Sequence, residues 1–157
     1  MPFIGQPTLH EQIRLNEPWD GTHNSQFHDR IIDVYSCPGN KDIKGKANCT
    51  YAVIKDNKHC FPEDGKTLGF HSITDGPSNT IAVVEVKKPF CWMDPTADVT
   101  LDELKKGINK GRCGSFHPGG CHVGIFDASV QFISDTIDTK ILRALATRNG
   151  GEISHSH

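Results

Sequence analysis

Two short apolar runs, Val123-Gly124-Ile125-Phe126 and Val130-Gln131-Phe132-Ile133, stand three residues apart, with only Asp127-Ala128-Ser129 between them. A chain that changes so quickly from one β-branched and aromatic run to another has one short-range solution, a β-hairpin. Everything else has to be built around that hairpin. An Asp-Gly pair would supply the positive φ angles of a tight type I′ turn, but position 128 is alanine. Holding Ala at positive φ costs on the order of 1 kcal/mol relative to Gly, so a different turn type or local strain is expected. Residues 50–54, Thr-Tyr-Ala-Val-Ile, read as a second strand region, and residues 80–86 as a strand buried on both faces or nearly so. Residues 31–35 read as a strand or extended segment that enters the turn Cys37-Pro38-Gly39-Asn40.

Helical signals are short. Thr8-Leu9-His10-Glu11 and Thr100-Leu101-Asp102-Glu103 are capping-box patterns, the first stopped by Pro18 and the second running toward Gly107 or Gly111. Asp138 can cap a third helix whose packing stripe is Ile141, Leu142 and Leu145, with Gly150-Gly151 as its stop. No repeat or low-complexity linker interrupts the chain. The expectation is one α+β domain over residues 1–152, an antiparallel sheet with short helices and long irregular loops, and a flexible tail over 153–157. That tail, with His155 and His157, can bind metal loosely.

Composition excludes several classes of function. The longest apolar run is Ile81-Ala82-Val83-Val84, far short of the roughly 20 residues that span a bilayer. Seventeen basic and nineteen acidic residues give a net charge of −2 with no basic block, so there is no footprint for nucleic acid or anionic lipid. The first residues, Met1-Pro2-Phe3-Ile4-Gly5, carry no export signal, which admits the cytoplasm. The six cysteines contain no Cys-x-x-Cys pair, leaving disulfides, buried thiols or a looser metal cluster open.

The chemistry-bearing residues each admit a sharp and a bland reading. Cys113, His117, Cys121 and His122 offer two thiols and two imidazoles suited to Zn²⁺ or copper, although strand geometry would turn Cys121 and His122 to opposite faces. The competing reading is a Cys113–Cys121 disulfide or two buried thiols, with Cys49 and Cys60 bridged in the same way and Cys37 and Cys91 left over. Asp75-Gly76 with Ser78-Asn79, joined by Asp64, Asp94 and Asp98, could be an oxygen-rich calcium loop; the alternative is a turn that delivers the chain into residues 80–86. Glu85 lies inside that strand and must be exposed or paired, with Lys87, Lys88 or Arg112 as partners. His117 and Asp127 invite a base-and-orienter reading, but no nucleophile sits in a strand-turn-helix elbow, and His117 is expected to bond a backbone group or Asp127. Trp19 and Trp92 read as core or rim aromatics.

His117-Pro118-Gly119-Gly120, the run from Phe126 to Ile133, and the run from Ile141 to Glu152 together resemble a bacterial prepilin-like family named for a His, nine residues, then Asp-Gly. Nine residues do separate His117 from Asp127, with Ala128 in the glycine position. Glu17-Pro18-Trp19-Asp20 with His23-Asn24, Cys37-Pro38, and Thr74-Asp75-Gly76-Pro77-Ser78-Asn79 extend the resemblance over nearly the whole chain. It implies the globular head of a type IV pilin or type II secretion pseudopilin, without the N-terminal helix, at the cell envelope or outside the cell. Some pseudopilin heads hold calcium. The resemblance assigns structural roles to His117, Gly119, Gly120, Asp127, Asp75, Gly76 and Asn79. It implies a non-enzymatic structural or interaction module that binds a protein partner, or itself, through the face the helix would cover. The alternatives are a small metal-binding protein using residues 113–122 and an enzyme using His117 and Asp127.

Overall fold

A computed structural model describes residues 4–41, 48–62 and 66–151, so Asp64 and the tail with His155 and His157 lie outside the described residues. The chain divides into two compact units, Met1–Thr50 with Pro89–Ala97, and Tyr51–Lys88 with Asp98–His157.

In the first unit, helix α1 (Pro7–Gln12) begins at a proline rather than at a capping threonine. Pro7 needs no hydrogen-bond partner in the first turn, which is why it can replace the expected Thr8 box. Leu9 on α1 packs with Phe27 and Ile32, and Ile13, Tyr35, Trp92 and Met93 close over this cluster. The segment at 31–35, read as a strand or extended segment, is extended at Ile32 and then forms a 3₁₀ turn at Asp33–Tyr35. Turn bonds from Tyr35 N–H to the Ile32 carbonyl and from Ser36 N–H to the Asp33 carbonyl take the groups a strand ladder would need. Only Ile32 of the run's aliphatic residues is buried, while Ile31 and Val34 face solvent.

The Glu17-to-Asn24 stretch is a self-locked loop. Buried Asn24 accepts from Arg14 N–H and donates to the carbonyls of Arg14, Glu17 and Pro18. Glu17 Oε1 accepts the amides of His23 and Asn24, and the His23 amide holds the Glu17 carboxyl below its usual range. Trp19 stacks on His28.

A five-stranded sheet organises the rest, in the order β3-β1-β2-β4-β5, with β1 at Cys49–Lys55, β2 at Ile81–Phe90, β3 at Val99–Thr100, β4 at Gly120–Ile125 and β5 at Val130–Ser134. β1 and β3 run parallel; β2 with β4 and β4 with β5 are antiparallel. With α2 (Leu101–Leu104) and α3 (Thr139–Leu145) the fold is α+β. The Thr100 box forms as expected, its hydroxyl accepting from Glu103 N–H while the Glu103 carboxylate accepts from Thr100 N–H. Asp138 caps α3 through Lys140 N–H. Leu142, Leu145 and Ala146 form the buried stripe, whereas Ile141 turns outward, 38% exposed.

The hairpin is present, but its turn is not type I′. Ala128 N–H bonds to the Ile125 carbonyl and Ile125 N–H to the Ser129 carbonyl, and of the turn residues only Ala128 has positive φ, at 69°. This is a type I turn followed by a left-handed residue, the three-residue loop solution, with alanine in the glycine slot.

Two further ties close the second unit. Arg148 donates through Nη1 to the carbonyls of Asn57 and His59, and its own carbonyl accepts from Asp75 N–H. Buried His59 donates Nε2–H to the Ile81 carbonyl at 2.7 Å, and its Nδ1 meets no hydrogen-bond partner among the described residues. Burial pulls its pKa down to about 4, so the ring is neutral.

Candidate functional site

The site follows from the register of two strands. Val83 is opposite Gly124 and Val84 opposite Val123, so Glu85 on β2 falls beside His122 on β4. Alternation along each strand then sorts the side chains. Cys121, Val123 and Ile125 are buried on one face with Val84 and Val86; His122 and Gly124 share the other face with Val83 and Glu85.

The segment before β4 completes it. Gly114 N–H bonds to the Glu85 carbonyl and Lys87 N–H to the Arg112 carbonyl, which sets Cys113 against Val86. The chain then rounds His117-Pro118-Gly119-Gly120 into β4. Ser115 fastens this loop, accepting from His117 N–H at 3.0 Å and donating to the Gly120 carbonyl at 2.8 Å. The two glycines serve different ends. Gly119 has φ 80° and accepts from Asp135 N–H, whereas a Cβ on Gly120 would meet the Ile133 carbonyl at 2.1 Å, so only Gly lets β5 approach there.

The result is a buried carboxylate between two imidazoles. Glu85 is 2% exposed. Its Oε2 accepts from His122 N–H at 2.7 Å, His122 Nδ1 lies 3.7 Å from the same oxygen, and His117 Nε2 lies 3.5 Å from Oε1. The two rings meet edge to face with centroids 4.7 Å apart, and His122 also packs edgewise on Phe132. Glu85 is therefore flanked by His117 and His122 and not by the expected lysines or arginine. Arg112 goes to the Asp98 carbonyl and to Glu103, 3.9 Å away.

Several sequence expectations change here. Of the proposed metal set Cys113, His117, Cys121 and His122, the structure brings together the two histidines. Cys113 and Cys121 are buried on the opposite face, where burial pushes both thiols up to about 12. Neither sulfur joins two other ligand atoms within 4.8 Å among the described residues. No disulfide joins Cys113 to Cys121 or Cys49 to Cys60. Cys113 is held opposite Val86 and Cys121 opposite Ile133, each fully buried. Phe61 pairs with Lys55, so Cys60 lies at the far end of β1 from Cys49, about five residues or roughly 17 Å along the strand, against the ~6 Å a disulfide spans.

His117 does not bond Asp127. The length of β4 separates them, about 20 Å for six residues. Asp127 Oδ1 accepts from Ser129 N–H, and hydrogen bonds from Ser129 hold its carboxyl below the usual range. Asp75 clasps the C-terminal glycines, accepting from Gly150 N–H at 2.7 Å and Gly151 N–H at 3.1 Å. Asn79 donates to the Asp75 carbonyl, and the Gly76 carbonyl accepts from Thr80, so this segment is a turn tied to the chain end. Asp94 caps its own turn through Thr96.

What sequence reading passed over was Glu85 as the centre of the site. A single carboxylate in an apolar strand was the available signal. No helix among the described residues is long and apolar enough to cross a membrane. No curated protein and no solved structure matches the chain. Residues 1–96 and 92–140, well over half of the chain, match the family described as "Protein of unknown function (DUF1559)", and the chain belongs to that family.

Proposed function

We propose that the protein is a non-enzymatic structural or interaction module that associates with a second copy of itself through edge strand β5, in keeping with the resemblance to a prepilin or pseudopilin head at the cell envelope. One observation carries this reading. β5 ends the sheet order, and it presents Val130 (69% exposed) and Phe132 (50% exposed) in register with Gly124 and His122. An edge strand with outward apolar side chains and no charged residue among Val130 to Ser134 lacks the usual protection against pairing. The net charge of −2 adds little repulsion between copies.

Sedimentation velocity over a wide concentration range tests the reading. Association is expected to rise with concentration, and Phe132→Ser, at an exposed position, is expected to weaken it about tenfold, the equivalent of about 1.4 kcal/mol. A monomer at every concentration, or association indifferent to Phe132→Ser, refutes it.

A further inference from the structure

The geometry points to a divalent transition-metal site, Zn²⁺ in the first instance, formed by Glu85, His117 and His122. This goes beyond self-association and stands on different observations. The first is the state of Glu85. A carboxylate 2% exposed needs a cation or several donors, yet among the described residues it receives a single direct hydrogen bond, from His122 N–H.

The second is the spacing of the imidazoles. At 3.5 and 3.7 Å, His117 Nε2 and His122 Nδ1 stand beyond the 2.7–3.2 Å of an N–H···O hydrogen bond. With metal–ligand bonds of about 2.0–2.2 Å in tetrahedral array, neighbouring ligand atoms sit about 3.4 Å apart. Each imidazole thus stands about one ligand–ligand separation from a carboxylate oxygen, although the three side chains do not yet offer one atom each within 4.8 Å of one another.

The third is chemical type. Two imidazole nitrogens and one carboxylate suit Zn²⁺ and leave a fourth position for water. The carboxylate is fixed by the sheet and by the His122 amide. His117 is carried by a loop pinned through Ser115. The two nitrogens address different carboxylate oxygens, so binding requires them to converge. His122, with 45% of its side chain exposed, has room to turn. Cys113 and Cys121 lie on the other face and take no part.

The test uses the full chain, purified without an affinity tag. Titration with Zn²⁺ is expected to give one equivalent bound and a raised melting temperature. His155→Ser/His157→Ser should leave this unchanged, whereas His117→Ala and His122→Ala should each weaken binding at least tenfold, as should Glu85→Gln. Titration of the unsubstituted protein with Co²⁺ makes the test independent of how the variants fold. Visible bands of four-coordinate cobalt without a thiolate charge-transfer band are expected. Less than a tenth of an equivalent of Zn²⁺, binding lost with the tail histidines, or a thiolate band each overturns the assignment.

Discussion

The two faces of β4 differ sharply in exposure. Cys121, Val123 and Ile125 are at most 3% exposed, while His122 and Gly124 on the same six-residue strand are half-open and carry or border the Glu85 site. Alternation alone produces this, since neighbouring side chains leave a strand in opposite directions. The consequence is a division of labour at single-residue resolution. Cys121, Val123 and Ile125 supply cohesion, and His122 and Gly124 leave space around a buried carboxylate. Chemistry that looks contiguous in sequence, Cys121-His122, is therefore split across the sheet.

The sharpest contrast should appear in thiol reactivity. Raising the Cys113 and Cys121 thiols from 9.0 to about 12 lowers their thiolate fraction about a thousandfold, before any steric shielding. Native alkylation followed by intact-mass analysis should therefore modify neither while the protein stays folded. Rapid labelling of Cys121 would mean that the closed face is not closed.

Truncation comes next. Ile125→Ala removes a side chain 3% exposed and should cost about 3 kcal/mol, lowering Tm by about 6–12 °C. His122→Ala, on the open face, should stay within about 1 kcal/mol in the same thermal melt. Comparable losses would erase the distinction between the faces.

Acid should find the one ionisable ring hydrogen-bonded to the Ile81 carbonyl. His59 has its pKa lowered from 6.5 to about 4 by burial, so between those values the unfolded chain binds a proton that the folded chain refuses. Its contribution is intact above pH 6.5 and declines as pH falls toward 4, by about 3 kcal/mol in all. Urea denaturation at stepped pH should show this slope, and His59→Gln should flatten it. A slope that persists in the variant would place acid sensitivity elsewhere.

How much of this was legible in sequence follows from how local each signal is. The Thr100–Glu103 box, the Asp138 cap and the 123–133 hairpin depend on residues a few positions apart, and all three form. Of the two readings of 31–35, strand or extended segment, the strand did not form because the segment's own turn bonds satisfied the backbone first. Asp75 bonding Gly150 and Gly151, and Glu85 meeting His117 and His122, join positions tens of residues apart. Alternation did foretell that Cys121 and His122 would part, but which face held a carboxylate depended on the β2–β4 register, which no local pattern encodes.

The smallest effect concerns the turn that joins β4 to β5. Ala128 holds φ at 69°, a conformation costing an L-residue roughly 1–2 kcal/mol and glycine almost nothing. Ala128→Gly relieves that strain but also widens the unfolded ensemble, an opposing term of about 0.4–1 kcal/mol. The net should be a gain of about 0.5–1 kcal/mol, or about 1–4 °C in Tm, readable by calorimetry. The sign is the informative part. A gain shows that the register holding Val130 and Phe132 outward is maintained against local strain. No gain would mean that the turn relaxes in solution, and that the exposed edge of β5 is less firmly defined than the closed face behind it.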